Sequence, residues 1–68
     1  MAVVQVVALM EDVPEHNLSR GQVGTAVEEL VSGVFEVEFS DNDGRTYAML
    51  PLRADQLMVL QFQVAKAR

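Results

Sequence analysis

The stretch VFEVEFS, from Val34 to Ser40, constrains the fold of this chain more than any other. Three apolar residues alternate there with two glutamates, and this period of two predicts a β-strand with one buried face and one solvated face. The apolar positions are Phe35, Val37 and Phe39, and the acidic positions are Glu36 and Glu38. DNDG follows at residues 41–44. Because Asn, Asp and Gly tolerate positive φ, this segment predicts a hairpin turn.

Four more strands are predicted by apolar runs that turn signals separate. Residues 3–10 are apolar on both faces, which is typical of a strand that is buried twice or covered by a partner. A long polar loop follows at residues 11–21, and Ser32-Gly33 makes a tight connection. The expected strands are residues 3–10, 23–30, 34–40, 45–52 and 58–64, and the glycines expected to shape turns are Gly21, Gly24, Gly33 and Gly44.

The fourth strand is expected to return antiparallel to the third, with Pro51 at an edge or a strand end. A turn that closes over two or four residues then gives each residue a face. The inner face takes Thr46, Ala48 and Leu50 beside the phenylalanines, and the outer face takes Tyr47 and Met49 beside Glu36 and Glu38.

The last part of the chain begins with RADQL at residues 53–57, which fits a single helical turn. Met58, Leu60, Phe62 and Val64 then alternate with three other residues, and this period favours a final strand over a helix, which stays the alternative. Five short strands, a long first loop and one helical turn before the last strand predict an all-β fold, a small antiparallel SH3-like barrel.

The length of 68 residues indicates one domain, residues 1–68, and a domain of this size buries only about 60% of the surface that its unfolded chain exposes. The chain has no cysteine to form disulfides, yet half of its residues are apolar. We therefore expect part of the apolar surface to be shared with another chain.

The charge balance bears on the class of partner. Ten carboxylates against five basic side chains give a net charge of −5, which disfavours nucleic acid and anionic membranes. The apolar start, MAVVQVVALM, lacks a basic region and a small-residue cleavage site, so it indicates a strand and not a signal peptide or a membrane span. We expect a cytoplasmic protein.

Several segments together resemble a known family. They are MEDVPEHNLSRGQVGTAVEEL, FEVEFSDNDGRTYAMLPL and ADQL, which span roughly Val3 to Leu60. In these features the chain is similar to a small family of uncharacterised bacterial proteins, common in cyanobacteria and classed as a domain of unknown function. The resemblance implies an SH3-like fold and a bacterial origin but no activity. It also gives a lead towards a partner protein encoded nearby, including toxin–antitoxin pairs.

The glycine pair Gly21 and Gly24 also resembles the element that precedes a strand in ribosomal and transcription-factor barrels, where the backbone approaches RNA. Arg20 is the only basic residue near this pair, and two glutamates follow it. We expect the glycines to shape a corner of the barrel. A nucleic-acid-associated barrel, with Arg20, Arg45 and Arg53 converging in space, remains the alternative.

Candidate chemical sites have simpler structural interpretations. Glu36 and Glu38 could place two carboxylates about 7 Å apart, as in some glycoside hydrolases, but a solvated strand face explains them better. DNDG lacks the carboxylates that a calcium loop needs at its first and last positions. His16 and the acidic residues near it make a poor metal site. We expect no enzyme, no cofactor and no metal.

The remaining candidate is an interaction surface, or alternatively a set of side chains that cap the open ends of the barrel. Its residues are Tyr47, Met49, Glu36, Glu38, Met58, Leu60 and Phe62. Aromatic residues and methionine are enriched at protein interfaces. We therefore expect a non-enzymatic protein-interaction module, either a homo-oligomer or the acidic partner of a basic protein.

Overall fold

The computed structural model describes residues 3–64 of the chain, and the side chains of residues 5–60. Five strands and two short 3-10 turns make up this part. The strands are β1 (Val3–Leu9), β2 (Val23–Val31), β3 (Val34–Ser40), β4 (Thr46–Arg53) and β5 (Leu57–Val64), and the turns are Pro14–His16 and Ala54–Gln56. The final segment is thus a strand, and a single helical turn precedes it, as predicted.

The strands form one antiparallel sheet in the order β4-β3-β2-β1-β5. β1 lies between β2 and β5. Val7 and Leu9 on one face of β1 are buried, and Val6 and Ala8 on the other face are half-buried. Strands β1 to β4 all contribute side chains to a single core, around which the sheet curves. The fold is therefore the small SH3-like barrel that the sequence predicts, with β4 and β5 as the edge strands of its sheet.

The alternation in β3 builds the centre of the core. Val37 and Phe39 are fully buried, while Glu36 and Glu38 lie on the opposite face and are half-buried. The hairpin at residues 41–44 is also confirmed, since the Gly44 N–H donates to the Asp41 carbonyl at 3.0 Å. The core residues are Val7, Leu9, Val13, Leu18, Ala26, Val37, Phe39, Leu50 and Leu52.

The loop at residues 11–21 contributes more than its polar sequence indicates. Val13 and Leu18 are buried in it, and each donates its backbone N–H to the other's carbonyl, at 2.9 and 3.1 Å. The Pro14–His16 turn lies between them, with Asn17 in the left-handed region at φ 62°. The loop therefore contributes two side chains to the core and covers part of it.

A β-bulge in β4 changes one predicted face. Phe39 pairs with Ala48 and Ser40 pairs with Thr46, so Tyr47 has no partner across the ladder. The prediction that Thr46 lies on the inner face is therefore wrong: Thr46 is exposed, and its hydroxyl donates to the Glu38 carboxylate on the outer face. An extra residue shifts the period of two by one position.

A second bulge lies in β5 at Leu60. Val7 pairs with Val59 but Val6 pairs with Gln61, so Leu60 is the extra residue. Met58 pairs with Ala8 and Phe62 pairs with Gln5, and these two β1 positions belong to opposite faces of the sheet. The predicted row of Met58, Leu60 and Phe62 is therefore interrupted. The side chain of Phe62 lies outside the described side chains.

Three of the four predicted turn glycines do occupy turns. Gly21, Gly33 and Gly44 have φ values of 91°, 80° and 81°. Gly24 does not: it lies inside β2, paired with Val7, and it is buried. A Cβ at Gly24 would stand 2.7 Å from the Phe39 ring, so this position needs glycine for close packing and not for a turn.

Candidate functional site

The outer face of the sheet carries a row of apolar side chains across β2, β1 and β5. Val23 pairs with Ala8, and Ala8 pairs with Met58 on its other side. Val23 and Met58 are 51% and 50% exposed, and two strand spacings put them about 10 Å apart. We call Val23, Ala8 and Met58 the apolar row. Its members are brought together by register alone, since they lie far apart in the sequence.

The outer face of β2 and β3 is acidic. Glu28 pairs directly with Glu36, and Glu38 pairs with Thr25 on one side and with Met49 on the other. Two like charges on facing positions of neighbouring strands repel each other. We call Glu28, Glu36 and Glu38 the acidic patch. It presents negative charge that nothing on the described outer face of β2 or β3 neutralises.

The seven residues predicted as one interaction surface fall into separate groups. Met49 of β4 lies beside Glu38 of β3, as expected, and Met49 is 50% exposed. Met58 and Leu60 lie on β5, at the opposite edge of the sheet. Tyr47 is 52% exposed and accepts a hydrogen bond from Gln22 Nε2 at 2.7 Å. The structure thus ties Tyr47 to the segment that enters β2.

A cleft of about 240 Å³ opens beside β5, on the inner side of the sheet. Its walls are mostly apolar, and one amide side chain, that of Gln5, is polar. The lining residues are Gln5, Val7, Phe35, Ala54, Leu57 and Val59. Sequence reasoning missed both this cleft and the participation of Val23 and Ala8 in the apolar row, because both depend on cross-strand register.

None of the polar or charged residues among the described side chains is buried. Residues 3–64 also hold no group of three His, Asp or Glu side chains that could bind a metal ion. His16 stands in the exposed Pro14–His16 turn. In the same part of the chain, no helix is long and apolar enough to cross a membrane.

The residues that carry the family resemblance hold the barrel together. In EDVPEH, the Asp12 carboxylate accepts the backbone N–H of Arg20 at 2.8 Å. In ADQL, Gln56 accepts the backbone N–H of Arg53 at 2.8 Å and donates to the Glu11 carboxylate at 3.0 Å. These hydrogen bonds fix the long loop and the turn before β5. These motif residues therefore have structural roles in the loop and in the turn.

Comparison with known proteins gives a family and no activity. A family model described as "Domain of unknown function (DUF4926)" matches residues 3–59. No curated protein and no solved structure matches the chain significantly. Because the match covers most of the chain, this protein belongs to the DUF4926 family of unknown function.

Proposed function

We propose that this chain is a non-enzymatic protein-interaction module of the bacterial cytoplasm. It acts as a homo-oligomer or as the acidic partner in a two-protein complex, of which toxin–antitoxin pairs are an example. One observation carries the proposal: among the described side chains, ten large apolar residues are exposed, against nine apolar residues in the core. A single exposed leucine is ordinary, but contiguous apolar surface is typical of a contact site.

The apolar row supports self-association. Ala8 joins Val23 and Met58 into one surface, and β1 and β5 contain no charged residue. A contact made there buries apolar area without removing any ionised group from water, a removal that would cost free energy. Two copies of the chain can therefore meet at this part of the sheet in spite of their net negative charge.

The acidic patch supports a basic partner. The facing pair of Glu28 and Glu36 repels itself, and a cationic side chain placed between the two carboxylates would relieve that repulsion. The net charge of −5 also steers a basic protein towards the chain and raises its association rate.

A nucleic-acid-binding role is the weaker candidate, because one glycine of the pair is buried inside a strand. The alternative needs the backbone near Gly21 and Gly24 to approach phosphates. Gly24 instead packs against the Phe39 ring inside β2. In addition, the Arg53 guanidinium is paired with Asp55 at 3.0 Å. Both contacts argue against the nucleic-acid alternative.

The test uses two matched variants of the full chain, Met58→Lys and Val31→Lys. Both place a new positive charge on an exposed apolar position, but Val31 lies at the β2–β3 hairpin, outside the apolar row. Sedimentation velocity over a wide concentration range measures self-association, and affinity capture from a bacterial lysate measures partner retention. We expect Met58→Lys to weaken association and Val31→Lys to leave it unchanged.

Two results would contradict the proposal. One is a wild-type chain that is monomeric at every concentration and retains no protein beyond those that an unrelated bait retains. The other is a binding loss of equal size in both lysine variants, which would show that net charge alone controls association. Binding of RNA or DNA at low salt, measured by an electrophoretic shift, would instead favour the alternative.

A further inference from the structure

The outer edge of β5 carries few of the features that protect the edge strands of natural sheets. β5 pairs with β1 on one side, and among the described strands none pairs with its other side. Its eight residues, LMVLQFQV, include no charged residue and no proline. Natural sheets protect such an edge with lysine, proline, a short strand or a covering segment, because unpaired N–H and C=O groups attract another strand.

The opposite edge strand, β4, has features that hinder pairing with another strand. β4 contains Pro51, which lacks an N–H, and ends at the charged residue Arg53. Both edge strands carry a bulge, at Tyr47 in β4 and at Leu60 in β5, so the bulges do not distinguish the two edges. Proline and the terminal charge hinder the addition of a strand at β4, and β5 has neither. Pairing is thus disfavoured at β4 and open at β5.

The direction of the β5 hydrogen-bonding groups follows from one contact. The Met10 N–H donates to the Gln56 carbonyl at 2.8 Å, so Met10 and Gln56 form a hydrogen-bonded pair. Such pairs alternate along an antiparallel ladder. Met58, two residues further on, therefore bonds to β1, and the N–H of Val59 points away from β1 to the free edge.

The cleft lies beside this same edge. Leu57 and Val59 of β5 line it, together with Phe35 and Ala54. Val59 is 51% exposed although its neighbour in the ladder, Val7, is fully buried. A strand added to β5 would place alternate side chains over the cleft and cover the exposed part of Val59.

The distribution of charge indicates which kind of strand could pair with the free edge of β5. All ten carboxylates lie outside β1 and β5, on β2, on β3 and in the connecting segments. A basic partner is drawn to the acidic patch, whereas an uncharged edge best fits another uncharged, apolar strand. The β5 strand of a second copy meets this requirement, because a two-fold axis sets equivalent residues of the two copies against each other.

We infer that two copies of this chain pair antiparallel through β5, so that their sheets become one continuous sheet. This inference rests on the proposed function and specifies its homo-oligomeric form. Backbone hydrogen bonds provide the geometry of the contact, and the apolar side chains of β5 and the cleft provide the buried area.

The first test compares Val59→Pro with Val59→Thr in the full chain. Proline removes the outward N–H and leaves the bonds from β5 to β1 in place, while threonine keeps both the N–H and the branched shape. We expect Val59→Pro to raise the dimer dissociation constant at least about tenfold, because the two-fold axis removes two donors at once. Val59→Thr should remain a dimer, and far-UV circular dichroism should show that both variants are folded.

The second test needs no variant. Amide hydrogen exchange of Val59 in the wild-type chain should slow as the protein concentration rises, because its N–H becomes hydrogen-bonded in the dimer. Exchange that stays fast in a solution of dimers would overturn the inference, even if Val59→Pro failed to fold.

Other outcomes separate this inference from the proposed function. A dimer that Met58→Lys disrupts and Val59→Pro does not would place the contact on the sheet face, which overturns the β5 edge and keeps self-association. A wild-type monomer at all concentrations would overturn the inference as well. The lysate experiment would then decide alone whether the interaction module has a different partner.

Discussion

Replacing Gly24 with alanine tests the packing of the barrel at its tightest point. The new Cβ would stand 2.7 Å and 2.8 Å from two atoms of the Phe39 ring and 2.9 Å from the backbone carbonyl of Glu38. Phe39 is fully buried and the carbonyl belongs to β3, so neither can move freely. Overpacking of this kind costs about 1–3 kcal/mol. Alanine also restricts the unfolded chain, which returns about 0.4–1 kcal/mol. We therefore expect Gly24→Ala to lower the free energy of unfolding by about 1–2 kcal/mol.

Urea denaturation and thermal melting measure this loss, and for a domain of this size the melting temperature should fall by about 5–15 °C. The same substitution is then made in a Phe39→Leu background, which removes the ring atoms nearest to the new Cβ. The cost of Gly24→Ala should shrink there, and a double-mutant cycle gives the coupling. Gly21→Ala is the control: its φ of 91° makes alanine strained, but no atom lies within 4 Å, so its cost should be equal in both backgrounds. A neutral Gly24→Ala, or an equal cost in both backgrounds, would refute the close-packing argument.

Four further predictions concern the turns, the ion pair and the contact surfaces. Asp41→Ala should cost about 1 kcal/mol in urea denaturation and Asp41→Asn less, because Oδ1 accepts two backbone N–H groups of the hairpin at 2.9 and 3.0 Å. Gly44→Ala should cost about 1–2 kcal/mol and Gly44→Asn less, because asparagine tolerates positive φ; equal costs would contradict this. Arg53→Ala should change the free energy of unfolding by less than about 0.5 kcal/mol, since its pair with Asp55 is exposed, and a larger loss in thermal melts would show that the pair matters. Added salt should strengthen a dimer formed through β5 and weaken a complex with a basic partner, as sedimentation at several ionic strengths will show.

The strands could be predicted because their signals are local. The alternation around Val37, the hairpin at residues 41–44 and the doubly apolar first strand each lie within one short segment, and each is confirmed. The pairings of β2 with β3 and of β3 with β4 also follow from local information, because short turns join these strands. The pairing of β1 with β5 joins the two ends of the described chain and has no such signal. Pattern and turn chemistry agree along this part of the chain, which is what specifies a fold.

The candidate site could not be predicted in the same way, because it depends on register. Each bulge inserts one residue and reverses the faces of the residues beyond it, and nothing in the composition near Tyr47 or Leu60 marks it. The close contact of Gly24 with Phe39 likewise joins residues of two strands. The burial of Val13 and Leu18 is only weakly indicated by the sequence, in which they are two apolar residues within a polar loop. Their spacing follows neither the helical nor the strand period, so the pattern does not predict that they are buried.

The two forms of the proposed function are compatible on one molecule because its charges are segregated. β1 and β5 are uncharged, and the carboxylate nearest to β5 in the chain, Asp55, is ion-paired with Arg53. Two copies that meet at β5 therefore bring few negative charges close together, although each copy carries a net charge of −5. The acidic patch on β2 and β3 lies on the other side of β1 from that contact and stays exposed in the pair. A dimer formed through β5 would thus present two acidic patches, and a basic partner with two binding sites would hold it more tightly than a single copy.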